Sequence, residues 1–289
     1  MDVTARIDTA LRAALAGTQG KDAPPKLAEA MRYAVFPGGA RVRPRLCLAV
    51  AHACGMDQPG LTQAAACSVE LLHCASLVHD DMPCFDDATT RRGLPSVHAA
   101  FGEPLALLAG DGLIVLSFEI LARAGAAEPS RLAGLVTTVA GAVGMPHGIV
   151  AGQGWESETH VPVEAYHRAK TGALFVGSAM AGAVSAGADP TPWRALGDSL
   201  GAAYQAADDL RDALMSSEEL GKPAHQDTAH DRPSLVTSCG IQETAARVEG
   251  HVRAAIAAIP DCEGAANLEG LILSEAKRLK PKSLDQAAA

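Results

Sequence analysis

The sequence predicts an all-α fold: one bundle of ten or more helices around a deep apolar cavity. Three observations carry that prediction. Aromatic residues make up 3% of the 289 residues while hydrophobic residues reach 48% and glycine numbers 28, a composition suited to helices packed closely through small residues and poor for sheets. Apolar residues recur at helical spacing in segment after segment, with no strand alternation of note. No repeat and no domain-sized linker interrupts the chain, so residues 1–289 are read as a single domain.

The elements follow in order. Val3, Ile7, Leu11 and Leu15 repeat at i, i+4 and mark an amphipathic helix over 3–16. A Gly, Lys and Pro-rich linker over 20–25 precedes a second helix, 26–35, which Pro37-Gly38-Gly39 stops. Arg41, Arg43 and Arg45 then stand ahead of the apolar run Leu46 to Ala53. Cations are disfavoured at the positive end of a helix, so these three ask for a partner. A long helix over 60–82 ends at Pro83. Another is expected over 104–125, with Asp111 inside an apolar run and read as structural. Residues 130–156 read as a helix interrupted near Gly144 to Gly148. Residues 163–187 form a helix poor in bulky side chains, with Lys170 and Thr171 in its middle; a buried lysine needs an anionic partner. Residues 191–216 carry an aspartate cluster, and 221–234 are a polar loop with Lys222 and Arg232. Helices over 242–259 and 265–279 complete the chain and carry no legible chemistry.

Two acidic stretches concentrate the chemistry. In HCASLVHDDMPCFDDATTRR, His73 to Arg92, a small or apolar run leads into Asp80 and Asp81, then Asp86 and Asp87, then Arg91 and Arg92. Clustered carboxylates repel unless a cation lies between them, Mg²⁺ favours such oxygens together with substrate phosphates, and an arginine pair suits a phosphate. Asp80 and Asp86 are six apart, so a break at Pro83 is needed to bring both to the same cations. In YQAADDLRD, Tyr204 to Asp212, Asp208 and Asp212 share a helix face with Gln205. Facing helices in a bundle build metal sites from such inward carboxylates.

These stretches belong to a set of seven motifs in order: GGARVRP from Gly38, HDDMPCFDDATTRRG from His79, AGDGL from Ala109, GQ at Gly152, AKTGAL from Ala169, YQAADDLRD, and LGKP from Leu220. Together they make the chain resemble the trans-isoprenyl diphosphate synthases, over nearly its whole length, and most of all bacterial geranylgeranyl diphosphate synthases that feed pigment synthesis. The resemblance implies the isoprenoid synthase fold, a homodimer, and condensation of isopentenyl diphosphate with an allylic diphosphate. It implies Mg²⁺, three ions, held by Asp80, Asp86 and Asp208. Arg91, Lys170, Lys222 and Arg232 would meet the allylic diphosphate, and Thr171 and Gln205 the allylic cation. Arg43, His73 and Arg92 would hold isopentenyl diphosphate. The family usually has lysine at the position of Ala40 and before Asp227, where this chain has Gln226; Arg41 or Arg43 would take over the work at the first of these. Farnesyl-producing members carry an aromatic at the position of Ala75. Here Ala75 and Ser76 leave that floor open, with Phe118 as a candidate deeper wall, and the expected product is geranylgeranyl diphosphate.

Several classes are set aside and three rivals stay in view. A net charge of −9 argues against nucleic-acid binding. No apolar run reaches the roughly 18 to 20 charge-free residues of a membrane span. The N-terminus is no secretory signal, and seven cysteines without CxxC spacing read as reduced, mostly buried residues of a cytoplasmic protein, Cys67 and Cys74 among them. The rivals are a farnesyl diphosphate synthase, a terpene cyclase, which would want more cavity aromatics, and a non-catalytic partner subunit, suggested by Ala40 and Gln226.

Overall fold

A computed structural model describes residues 2–36, 38–216 and 234–279. Thirteen α-helices occur among them. The first three are α1 (Val3–Ala16), α2 (Pro25–Val35) and α3 (Val42–Ala53). Ile7, Leu11 and Leu15 form the buried stripe of α1, and Pro25 opens α2, where its missing N–H costs nothing. Then come α4 (Pro59–Asp80), α5 (Val97–Phe101), α6 (Glu103–Gly125), α7 (Pro129–Val143) and α8 (Ile149–Trp155). Next, α9 (Val163–His167) runs through a π-helical turn, Arg168–Gly172, into α10 (Ala173–Ser185). Finally α11 (Arg194–Leu214), α12 (Leu235–Ala257) and α13 (Ala265–Leu279) close the bundle.

Three large apolar clusters, with a small one of Val69, Ala142 and Leu174, make the core among the described residues. One joins α1 and α2 to α4 and α6, a second joins α3, α4, α6 and α7, and the third joins α3, α10 and α11 to α12 and α13. Helix α10 packs on α3, α4, α7 and α11. The small residues of α10 permit that: Gly177 abuts Ala142, and Gly182 abuts the α3 backbone.

Two expectations need correction. The chain is not free of strands, since Thr90–Arg91 pairs antiparallel with Leu94–Pro95. The two residues between them, Arg92 and Gly93, both have positive φ (56° and 76°), as the two-residue hairpin turn with the favoured twist requires; the Arg-Gly pair was the sequence signal. Asp111 is exposed rather than buried, because it lies on the outer face of α6, 3.6 Å from His79 Nε2. Neither α4 nor α6 has a charge-free run of 18 residues, since Glu70 and Asp111 interrupt them, although both are long and apolar enough to cross a membrane by length and composition. For α4 packing supplies the reason, since most of its apolar stretch is in the core, but only 39% of that of α6 is buried.

Candidate active site

The first aspartate stretch folds as a hooked loop. Helix α4 ends at Asp80, before Pro83. The chain then turns back, so that the Asp86 N–H donates to the Asp80 carbonyl (3.0 Å) and the Ala88 N–H to that of Asp81 (3.1 Å). The six-residue gap is thereby closed: one carboxylate oxygen from each of Asp80, Asp86 and Glu156 lies within 4.8 Å of the others. Glu156 went unrecognised in the sequence. It is three residues after Gln153, and Gln153 Nε2 donates to it at 3.0 Å while the Tyr166 hydroxyl donates at 2.6 Å. An acid at helical spacing after the GQ pair was the available signal.

Asp80 and Asp81 have separate roles. Asp80 lines the cavity. Asp81 is buried and grips Arg91, whose Nε is 3.0 Å from Oδ1. Burial pushes the Asp81 carboxyl above its ordinary range, with Arg91 pulling the other way. The hairpin fixes both arginines. Arg92 donates to the Gly38 carbonyl, and its guanidinium carbon sits 2.9 Å from where a Cβ on Gly39 would stand, so a larger residue there would push the guanidinium aside.

Lys170 and Thr171 sit on the π-helical turn. Such turns widen a helix locally and recur at functional sites. Helix α8 presses directly on this one: a Cβ on Gly152 would collide with the Lys170 backbone. The Lys170 ammonium bonds Glu156 and, at 3.2 Å, Asp80. The anionic partner that a buried lysine needs is therefore the acidic cluster itself. The Thr171 hydroxyl donates to Gln205 Oε1 at 2.5 Å, and Gln205 Nε2 donates to Asp209 Oδ1 at 2.8 Å. Gln205 thus stands one step behind the cavity and spends its oxygen on Thr171. Asp208 lines the cavity, while Asp209 is 1% exposed and also accepts from the Leu235 N–H.

The three N-terminal arginines diverge. Arg41 is buried and bonds Asp8 (2.9 Å), Glu70 (2.6 Å) and the Val35 carbonyl (2.9 Å). It locks α1, α2 and α4 together, which excludes it as the stand-in for the lysine missing at Ala40. Arg45 pairs with Glu275. Only Arg43 reaches the cavity, 4.4 Å over the Phe175 ring, with Nη1 3.5 Å from His73 Nε2. Burial and then the charges of Arg43, Arg92 and Arg91 hold the His73 imidazole well below its ordinary pKa. His73 is therefore neutral and accepts from Arg43. Arg43 Nε is buried with no hydrogen-bond partner among the described residues, a donor left for an anion.

Arg43, Arg91, Arg92, Lys170 and Arg211 line one cavity of about 400 Å³ together with Asp80 and Asp208. An apolar cavity of about 310 Å³ opens beside it and shares Ser76, Asp80, Ile149 and Gln153 as wall. Ala75 lines the apolar cavity alone, Ser76 lines both, and Leu72, Ile114 and Val143 line it further. Phe118 does not line it. It packs into the cluster that contains Leu72 and Leu121, and Ile114, one helical turn earlier, stands on the wall. Phe85, from the hooked loop, is the one phenyl ring there. Lys222, Gln226, Asp227 and Arg232 lie outside the described residues.

Such a site can hold anionic groups among its arginines, bind divalent cations through clustered carboxylates, and store a hydrocarbon chain in the adjoining space. The polyprenyl synthetase family model matches residues 24–267. The chain is 55% identical to a geranylgeranyl diphosphate synthase of Cereibacter sphaeroides, covering 96% of each chain. It is 50% identical to a geranylgeranyl diphosphate synthase of Rhodobacter capsulatus, covering 94% of each. Among solved structures, a geranyltransferase of Helicobacter pylori complexed with magnesium and isoprenyl diphosphate superimposes with a TM-score of 0.80 at 26% identity, over 95% of this chain and 97% of that one.

Proposed function

The chain belongs to the polyprenyl synthetase family, and from that premise we propose that it is a magnesium-dependent trans-prenyltransferase that makes geranylgeranyl diphosphate from isopentenyl diphosphate and an allylic diphosphate. The observation that carries this reading is the joined pair of cavities, one cationic and one apolar, meeting at Asp80 and Ser76. The reaction needs both at once, because a charged group departs while an apolar chain grows.

The carboxylates fit magnesium. Asp80, Asp86 and Glu156 converge, Asp208 lines the same cavity, and the Lys170 ammonium already sits among their oxygens as a cation would. We assign Asp80, Asp86, Asp208 and Glu156 as ligands of three ions. When bound, magnesium supplies Lewis-acid neutralisation of the departing diphosphate. Lys170 and Arg91 donate to the oxygens of the allylic diphosphate and stabilise the charge that develops there as the carbon–oxygen bond breaks. The Thr171 hydroxyl, oriented by Gln205, turns its oxygen to the allylic cation. Arg43, with its unpaired Nε, Arg92 and neutral His73 hold isopentenyl diphosphate with its double bond aimed at that cation. Attack forms the new carbon–carbon bond, and the departing diphosphate takes the proton.

Ala75 in place of a bulky side chain, and the aliphatic wall beyond it, support a C20 product. The outward apolar side chains of α6, Leu107, Leu108 and Val115, support a homodimer across that face. Seven unpaired cysteines support a reducing, cytoplasmic setting, and the resemblance to pigment-serving synthases supports a role in carotenoid formation.

Purified protein with Mg²⁺, labelled isopentenyl diphosphate and farnesyl diphosphate tests the reading. A labelled C20 diphosphate is expected. A cyclised hydrocarbon, elongation that stops at C15 from shorter primers, or no product at all would each reject it.

A further inference from the structure

We propose that Glu275, on the C-terminal helix, is a positioning residue for the half of the cavity that Arg43 serves, because its one carboxylate holds Arg45 of α3 and the Tyr204 hydroxyl of α11 together. The inference rests on the assignment of Arg43 to isopentenyl diphosphate.

The side chain of Glu275 is 4% exposed, and a carboxylate so placed is stable only with partners. Arg45 Nη1 meets Oε1 at 2.5 Å, and the Tyr204 hydroxyl donates to Oε2 at 3.0 Å. Each oxygen thus serves a different helix. Arg278, one turn on, adds a longer bond to Oε1 at 3.4 Å.

Tyr204 carries this anchor into the site. It lines the polar cavity, and its ring lies 4.6 Å from that of Phe175, centroid to centroid. Phe175 in turn supports the Arg43 guanidinium at 4.4 Å. The resulting chain of contacts runs Glu275, Tyr204, Phe175, Arg43, and it holds Arg43 through a π face rather than a carboxylate. A carboxylate beside Arg43 would compete with substrate for its donors; Glu275 avoids this by keeping its charge on Arg45. The next turn of α13 adds a second tie, since Arg211, also on the cavity wall, donates to the Arg278 carbonyl. Tyr204, Asp208 and Arg211 follow one another at i, i+4 and i+7, so α13 fixes both ends of the cavity-facing stripe of α11.

Steady-state kinetics with both substrates varied, in Mg²⁺, test the inference on the wild type, Glu275→Ala, Glu275→Gln and Tyr204→Phe, with melting temperatures for each. Glu275→Ala is expected to raise KM for isopentenyl diphosphate about tenfold, as small displacements of binding groups do, with KM for the allylic substrate within about twofold. Glu275→Gln, which still accepts from Tyr204, should recover much of that loss. Tyr204→Phe should raise KM for isopentenyl diphosphate about threefold while the ring contact persists. Equal shifts in both KM values, or an unchanged KM in folded Glu275→Ala, would overturn the proposal. Should Glu275→Ala fail to fold, an unchanged KM in Tyr204→Phe overturns it instead. Arg43→Ala separates the two levels. If it leaves isopentenyl diphosphate binding intact, the assignment of that half fails and this inference with it. If it weakens binding while the Glu275 variants do not, only the inference fails.

Discussion

At the scale of single residues, each aspartate pair divides its work in the same way. Asp80 and Asp208 face the cavity, whereas Asp81 and Asp209 are buried and orient a neighbour, Arg91 in one case and Gln205 in the other. If Asp80 and Asp208 hold magnesium as proposed, Asp80→Asn and Asp208→Asn should each lower kcat by about two orders of magnitude or more, because each removes an anionic ligand worth several kcal/mol of charge stabilisation. The far-ultraviolet circular dichroism should not change, and near-normal turnover in either variant would remove that residue from the ligand set. His73 gives a pH signature. Its folded pKa lies well below 6.5, so as pH falls through about 6.5 the unfolded chain takes up a proton that the folded protein refuses. The stability that His73 contributes is complete above that pH and is lost as pH falls. Thermal melts at pH 7 and pH 5 should therefore show a smaller drop in His73→Gln than in the wild type; equal drops would contradict a neutral imidazole held below its ordinary pKa.

At the scale of elements, the irregular pieces do the aiming. The hooked loop after α4 brings Asp86 back to Asp80, the two-residue hairpin presents Arg91 and Arg92, and the π-helical turn presents Lys170 and Thr171. Helix α4 itself serves both cavities, with Ser76 and Asp80 in each and Ala75 on the apolar wall alone. Ala75→Tyr fills space next to Leu72 and Ile114. It should shift the product from C20 toward farnesyl diphosphate with Mg²⁺ dependence unchanged. Chromatography that still gave mainly C20 would mean the chain grows along another wall.

At the scale of the whole molecule, the apolar outer face of α6 stands out. Val115 is 66% exposed, and Leu107 and Leu108, two turns earlier, are also exposed, with Asp111 between. Exposed apolar side chains grouped on one helix face are what the proposed dimer would cover. Val115→Arg should convert a dimer to a monomer in size-exclusion chromatography with light scattering; a wild type that is already monomeric would discard the proposed dimer. The C-terminal helix also belongs to this scale, since Glu275 is 230 residues from the Arg45 that it grips.

The sequence by itself determined the helical class, most helix limits to within two or three residues, and the acidic and basic motifs that make the chemistry. Those signals are local: a 3.6-residue period, a proline stop, a run of carboxylates. The break over 144–148 and the return of the chain after Asp80 were legible for the same reason. The tertiary structure decided what depends on distant partners. It separated Arg41, Arg43 and Arg45, alike in sequence, into an anchor between helices, a cavity donor and a mate for Glu275. It added Glu156 to the acidic cluster, set Gln205 behind Thr171, and put Ile114 where Phe118 was expected. Whether a charged side chain serves the fold or the site depends on which charge lies across the gap, and packing between helices remote in sequence sets that.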